Sequence, residues 1–145
     1  MVGVRACYRD WMICAIFAVI LYFISLYMSA YANLIAFDII KIFNAYLSNS
    51  WRAFIHIYVA GSIGMAVSAF ILMIPMGVFI SHRPAIFGGI SALLAILGWV
   101  ALGILNGVFP TIPFAVEYGV LIFSASVAAH FGNKIRAKIQ NAKNQ

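Results

Sequence analysis

Four long apolar runs occupy most of the chain, and almost every charged residue lies outside them. The runs cover about residues 11–31, 54–80, 85–105 and 112–131. A bilayer has a hydrocarbon core about 30 Å thick, which a helix of roughly 20 apolar residues can cross. Each run meets that length, so the sequence predicts an all-α integral membrane protein built as a bundle of four transmembrane helices.

The segment between the first two runs has a different pattern. Over residues 36–48, apolar side chains such as Phe37 and Ile40 recur at helical spacing, while Asp38 and Lys41 take the opposite face. This pattern is typical of an amphipathic helix that lies in the plane of the membrane interface. The sequence therefore predicts an interfacial helix between the first and second membrane helices.

Composition supports a single membrane domain. The chain has 145 residues, of which 66% are hydrophobic and 8% are charged, whereas soluble domains average about 25% charged residues. A soluble domain of this size could not bury so much apolar surface, because small folds expose a large fraction of their surface. The longest polar stretch is the basic segment 132–145, which is too short to be a second domain.

The net charge of +6 raises the question of nucleic-acid binding. The positions of the basic residues argue against it, because they cluster beside the apolar runs, where cations meet anionic lipid headgroups. We expect Lys134, Arg136 and Lys138, which follow the last run, to contact headgroups at the membrane surface. The predicted partner of this segment is thus the lipid bilayer and not nucleic acid.

The distribution of Lys and Arg also predicts the orientation. With the N-terminus inside, seven of the nine basic residues fall on the inner side, and only Lys41 and Arg52 fall on the outer side. Cytoplasmic segments of membrane proteins carry an excess of Lys and Arg. We therefore expect a multi-pass protein of the bacterial inner membrane with both termini in the cytoplasm. The inner residues are Arg5, Arg9, Arg83, Lys134, Arg136, Lys138 and Lys143.

Small residues recur at steps of three and four along the second and third runs. Hydrophobic burial does not drive helices together in lipid, so close backbone approach at small residues becomes important. These stripes predict tight packing within the bundle or against other membrane proteins. The predicted packing positions are Gly61, Gly64, Ser68, Gly88, Ser91, Ala95, Gly98, Gly103 and Gly107.

Glu117 is the only acidic residue inside an apolar run. An intramembrane carboxylate usually faces the bundle interior or a wet cavity, and it is a candidate functional residue. Arg52, His56 and Asn106 are expected at the same outer level, so the four residues are predicted to form one polar cluster. Two interpretations stay open: a structural clasp between helices, or a site for a coupling ion or a polar headgroup.

The sequence contains none of the common catalytic motifs. HExxH, GxSxG, CxxC and P-loop patterns are missing, and three acidic residues offer no paired carboxylates. Cys7 and Cys14 are one heptad apart on a single helix, which argues against a disulfide framework or a zinc site. We therefore expect a protein that is not an enzyme and that uses neither a cofactor nor a metal.

These features lead to three functional hypotheses. The first is a non-catalytic accessory or scaffolding subunit of an inner-membrane complex, which packs against other subunits or against itself through small-residue faces. The second is a small oligomeric transporter or channel with Glu117 in its pathway. The third is an immunity or exclusion protein that blocks a toxin or a foreign machine within the membrane.

Overall fold

The computed structural model describes residues 2–43, 47–80, 82–107 and 111–143. Four helices in it are long and apolar enough to cross a membrane, which confirms the predicted all-helical architecture. The second of the four is one continuous helix made of two α-helical parts and a π-helical turn, π1. The elements are α1 (Val2–Ile42), α2 (Asn49–Phe54), π1 (Ile55–Ala60), α3 (Gly61–Phe79), α4 (Pro84–Leu105) and α5 (Ile112–Lys143).

The first helix is longer than the first apolar run. At 41 residues, α1 is about 60 Å long, twice the thickness of the hydrocarbon core. The separate interfacial helix predicted over 36–48 is not confirmed, because residues 36–42 are the last two turns of α1 and residues 44–46 lie outside the described residues. The physical reason is local: neither Gly nor Pro interrupts the chain between Tyr31 and Ile42.

The last helix also extends past its apolar run. Helix α5 has 32 residues and continues to Lys143, so most of the predicted basic tail 132–145 is helical. Residues 144–145 lie outside the described residues. A helix of this length is about 48 Å long, which leaves several turns beyond a 30 Å core. The basic residues therefore lie on a helical extension of the bundle.

The helices form a ring in the order α1, α3, α5, α4. Helices α3 and α4 are joined by a short turn, yet they lie mainly across the diagonal of this ring. Contacts at matching steps show that α3 runs parallel to α5: Gly61 meets Glu117 near one end, and Gly77 meets Ala129 near the other. In the same way α1 runs parallel to α4, so the start of α1 and the end of α5 lie at the same end of the bundle.

The turn between α3 and α4 has an unusual backbone conformation. Arg83 adopts a left-handed conformation with φ 49° and ψ 50°, and Pro84 follows as the first residue of α4. A proline disfavours the right-handed helical region for the residue before it, which favours a sharp change of direction here. Helix α3 itself continues past Pro75 to Phe79, since a proline is tolerated where packed neighbours surround the helix.

The interior of the bundle is built from flexible and small side chains. The largest fully buried residues are contributed mainly by one face of α3, and alanines from α4 and α5 fill the spaces between them. Large aliphatic and aromatic side chains point outward along all four long helices. This distribution is expected where the surroundings are apolar and close helix approach needs small residues. The buried core includes Leu21, Met65, Met73, Met76, Ile80 and Leu121.

Candidate functional site

The predicted polar cluster begins on the helix that contains α2 and π1. Ser48 caps this helix, since its hydroxyl oxygen accepts a hydrogen bond from the backbone N–H of Trp51 at 3.4 Å. The next residue, Arg52, donates from its Nε atom to the carbonyl oxygen of Leu47 at 3.0 Å. Half-buried His56 lies with its ring centroid 6.2 Å from that of Phe37 on α1. The imidazole therefore packs on the α1 side of the helix.

The other two predicted members come from α4 and α5. Asn106 ends α4, is exposed, and donates from Nδ2 to the carbonyl oxygen of Leu102 at 2.7 Å. Glu117 is buried, with 8% of its surface exposed. Among the described contacts, none links two of the three residues His56, Asn106 and Glu117. The end of the bundle thus holds these polar groups in separate local environments.

Glu117 lies directly against the backbone of Gly61. A Cβ atom added to Gly61 would overlap the Oε1 atom of Glu117, so glycine at this position leaves room for the carboxyl group as it is placed here. Within the part of the chain that the structure describes, this carboxyl group has neither an ion pair nor a hydrogen bond. The sequence marks Glu117 and Gly61 separately, and the spacing of small residues predicts helix packing for Gly61 rather than a place beside the acid.

The π-helical turn ends at the residue that receives Glu117. Segment π1 contacts both α1 and α5, and Gly61 follows it as the first residue of α3. A π-helical turn holds one residue more than an α-helical turn of the same span, and such turns occur frequently at functional sites. The extra residue rotates α3 about the helix axis relative to α2. The turn therefore sets which residue of this helix faces the acid on α5.

A second polar group, which sequence analysis did not predict, joins three helices near the other end. The Sγ atom of Cys14 on α1 lies 3.1 Å from the Oγ atom of Ser91 on α4. The same hydroxyl group lies 3.2 Å from the carbonyl oxygen of Cys14 and 3.4 Å from the Sδ atom of Met76 on α3. All three side chains are fully buried. This junction fixes the position of α1 against α4.

Helices α3 and α5 approach each other closely at the end of their contact that lies away from Glu117. A Cβ atom on Gly77 would overlap the carbonyl oxygen of Ala129, and one on Gly132 would overlap that of Ile74. Both glycines permit backbone-to-backbone contact, which small residues provide in membrane helix pairs. Neither glycine belongs to the predicted packing positions, since Gly77 follows Pro75 and Gly132 lies after the last apolar run.

Several predicted packing positions also lie at helix contacts. Gly64 faces the backbone of α1, and Gly88 faces the backbone of α5 at Ala125. Ser68 and Ala95 are buried in the centre, where the Ser68 hydroxyl group donates to the carbonyl oxygen of Met65 at 2.7 Å. Most of the small-residue stripe is therefore used inside the bundle.

Three predicted positions, two on the later part of α4 and one just after it, differ from these. Gly98 makes only ordinary contact, since a Cβ added there would lie 3.5 Å from the ring of Tyr22. Gly103 is half-buried. Gly107 has a φ of +75° and open space around it, so the structure gives it the role of a turn residue and not of a packing position. A left-handed residue just after a helix is commonly glycine.

An apolar groove runs between α1 and α4 on the outside of the bundle. It has a volume of about 540 Å³, and its described lining contains no charged residue. On the α1 side it extends from Ala15 to Tyr22, which is about 10 Å along the helix. Small side chains make up much of its floor. The lining residues are Ala15, Ala18, Val19, Tyr22, Leu94, Ala95, Gly98, Ala101 and Leu102.

The basic residues predicted to contact lipid headgroups lie on the extension of α5. Lys134 and Lys138 are exposed, and the Nζ atom of Lys134 lies 5.9 Å from the ring centroid of Phe131. Arg136 is half-buried. At the same end of the bundle, Arg9 pairs with the buried carboxylate of Asp10 at 3.2 Å. Positive charge is therefore concentrated at the end that carries both chain termini.

Among the described residues, no three His, Cys, Asp or Glu side chains are grouped closely enough to hold a metal ion. Comparison with known proteins adds no further constraint on the site. No family model matches the chain, and no curated protein or solved structure matches it either. Inferences about function therefore depend on the geometry of this chain.

Proposed function

We propose that this chain is a non-catalytic accessory subunit of a bacterial inner-membrane complex, with both termini in the cytoplasm. In this proposal the α1–α4 groove receives one transmembrane helix of another membrane protein. The observation that supports this proposal most directly is the groove itself. It is apolar, contains no charged residue in its described lining, extends about 10 Å along α1, and has small side chains along both walls.

Small residues in the groove would let a partner helix approach the backbone. In lipid, helices associate through close packing and weak hydrogen bonds rather than through burial from water. Gly61, Gly64 and Gly88 are already occupied by contacts inside the bundle. Gly98 and Ala101, by contrast, border open space on the outside of α4. They are therefore the small residues best placed to contact a second protein.

The transporter hypothesis receives less support from the same geometry. It requires Glu117 to line a pathway, but this residue is 8% exposed and its carboxyl group lies against Gly61. The large groove lies between α1 and α4, and Glu117 does not line it. None of the described contacts gives specific support to the immunity hypothesis.

The test measures the native mass of the protein extracted from its own cells in a mild detergent. We expect a complex that contains this chain and a second membrane protein. Replacing Gly98 with Leu should fill the groove and dissociate that complex, and Ala101→Leu should act in the same way. The matched control is Gly119→Leu, because a Cβ at Gly119 meets nothing within 4 Å and the residue lies outside the groove.

Two results would contradict the proposal. One is a wild-type protein that migrates as a lone monomer in each mild detergent used. The other is a complex that responds equally to Gly98→Leu and Gly119→Leu, because the groove would then have no special role. The melting of each variant is measured separately, so that loss of the complex is not confused with loss of the fold.

A further inference from the structure

We infer that Glu117 is a proton-binding site in which the neutral carboxyl group is packed against Gly61, and that release of its proton separates α5 from α3 at this level. The ligand is a proton, and the element that responds is the contact between the two parallel helices. This inference does not depend on the occupant of the α1–α4 groove, because Glu117 does not line that groove.

The three acidic residues of the chain have three different environments. Asp38 is exposed on the last turns of α1. Asp10 is buried with 4% exposure, and Arg9 pairs with it at 3.2 Å. Glu117 is buried to a similar degree, but within the described residues no cation pairs with it. Only Glu117 therefore combines burial with the lack of a compensating charge.

An unpaired carboxylate is much less stable than a carboxylic acid in apolar surroundings. Transfer of an isolated charge out of water is strongly unfavourable unless it gains a counter-ion or hydrogen bonds. The carboxyl group lies in direct contact with the α3 backbone, since Oε1 occupies the space that a Gly61 side chain would fill. The ionised form needs water in place of this contact, and hydration of the carboxyl face that meets Gly61 requires α5 to move away from α3.

Groups on the neighbouring elements do not supply the missing charge. The first two turns of α3, residues 61–68, contain no Asp, Glu, Lys, Arg or His. On π1, His56 packs towards Phe37 of α1, and Tyr58 lies against Phe54 with a centroid distance of 5.5 Å. Tyr118 follows Glu117 and is the nearest titratable neighbour on α5.

The remaining contacts around this level are aromatic or backbone contacts. Tyr118 lies edge-on to Trp99 of α4 with a centroid distance of 6.3 Å, and it stacks on Phe114 of α5 at 6.2 Å. On α2, Arg52 directs its Nε atom to the carbonyl oxygen of Leu47. The surroundings of Glu117 that the structure describes thus favour an uncharged carboxyl group.

The first experiment uses dicyclohexylcarbodiimide, an apolar reagent that reacts with protonated carboxyl groups. The acid transfers its proton to a carbodiimide nitrogen while its oxygen adds to the central carbon, and acyl migration to nitrogen then gives a stable adduct containing the whole reagent. We expect mass spectrometry of the folded protein in lipid vesicles near neutral pH to locate the adduct at Glu117. Asp38 and Asp10 serve as internal controls and should stay unmodified.

The second experiment measures thermal melting of the purified full chain between about pH 5 and about pH 9. The packed state binds the proton more tightly than the open state, so its stabilisation is present at low pH and is lost as the pH rises. We expect the wild-type midpoint to fall relative to that of Glu117→Gln as the pH increases. Asp38→Asn is the matched control and should follow the wild type.

Each experiment has an outcome that overturns the inference. Glu117 that remains unmodified, or that reacts no faster than Asp38, shows that the carboxyl group is not held in the neutral form. A constant difference in midpoint between the wild type and Glu117→Gln across the pH range shows that proton binding is not coupled to packing. The labelling experiment uses the wild-type chain, so it stays decisive if the variant fails to fold.

Discussion

Gly64 on α3 lies against the backbone of Ser29 on α1, and a Cβ atom added to Gly64 would come within 2.6 Å of the Cα atom of Ser29. The carbonyl oxygen of Met28 would be equally near. Backbone atoms cannot rotate away as a flexible side chain can. The contact between α1 and α3 therefore requires glycine at this position.

The first prediction concerns Gly64→Ala. We expect it to destabilise the bundle by about 1–3 kcal/mol, because α1 and α3 must move apart to accept the added methyl group. The measurement is the midpoint of thermal aggregation in detergent. Gly119→Ala is the control, since nothing lies within 4 Å of its added Cβ and alanine gains about 1 kcal/mol of helix propensity. Equal midpoints for the two variants would refute the α1–α3 contact.

The second prediction concerns coupling across the α3–α5 contact. A Cβ atom on Gly132 would lie 3.0 Å from the Cα atom of Gly77, so Gly77→Ala and Gly132→Ala disturb the same interface. We expect their effects on stability to be non-additive by at least about 0.5 kcal/mol. The Gly64→Ala and Gly77→Ala pair is the control, because those sites are about 20 Å apart along α3 and should add. Additivity in both double-mutant cycles would be inconsistent with the described packing.

The third prediction concerns the junction of Cys14 and Ser91. Ser91→Ala removes a hydroxyl group that reaches α1 and α3 while keeping the small size of the residue. We expect a loss of about 0.6 kcal/mol, and at most about 1–2 kcal/mol, as found for hydrogen bonds between membrane helices. Thermal melting is again the measurement, and exposed Ser50 supplies the control variant Ser50→Ala. A Ser91→Ala protein as stable as the Ser50→Ala protein would show that the junction adds nothing.

The fourth prediction concerns the antiparallel contact of α4 with α5. A Cβ atom on Gly89 would lie 3.0 Å from the Oγ atom of Ser126, which places two introduced cysteines near the separation that a disulfide needs. We expect the double variant Gly89→Cys and Ser126→Cys to form an internal disulfide under mild oxidation. The bond is detected as faster migration on a denaturing gel that is reversed by reductant. The native Cys7 and Cys14 are first replaced by serine.

The matched pair for that experiment is Gly89→Cys with Gly119→Cys. Gly119 lies seven residues before Ser126 on α5, which is about 10 Å along the helix. This pair should stay reduced under the same conditions. Efficient cross-linking of the control, or none in the first pair, would disprove the register of α4 against α5.

Much of the fold follows from the periodicity of the sequence, and the rest depends on contacts between distant segments. Four apolar runs are enough to predict four long helices, because only a helix satisfies the backbone in lipid. The amphipathic pattern over 36–48 favoured a separate helix, yet the structure continues α1 to Ile42. There Ala36 and Ile40 are buried, while Phe37 is 59% exposed. Which face is buried depends on the neighbouring π1 turn, and local spacing does not reveal that neighbour.

The candidate site was likewise predictable from the sequence only in part. The acid in an apolar run was recognisable, since a carboxyl group is rare in such a segment. Its contact with Gly61 was not, because α3 and α5 are separated in sequence by the whole of α4. The π1 turn leaves no recognised local signal in the sequence, and the partners of Ser91 become visible only when α1 is known to lie beside α4.

The most direct test of the account is the membrane topology of the chain. Reporters fused before Val2, after Lys143, and within the connections at Ser48 and Gly107 are compared for the side of the membrane on which each is active. The account predicts that both ends report the cytoplasm and that both connections report the opposite side. Ends on opposite sides, or a connection on the same side as the ends, would contradict a bundle of four membrane-crossing helices.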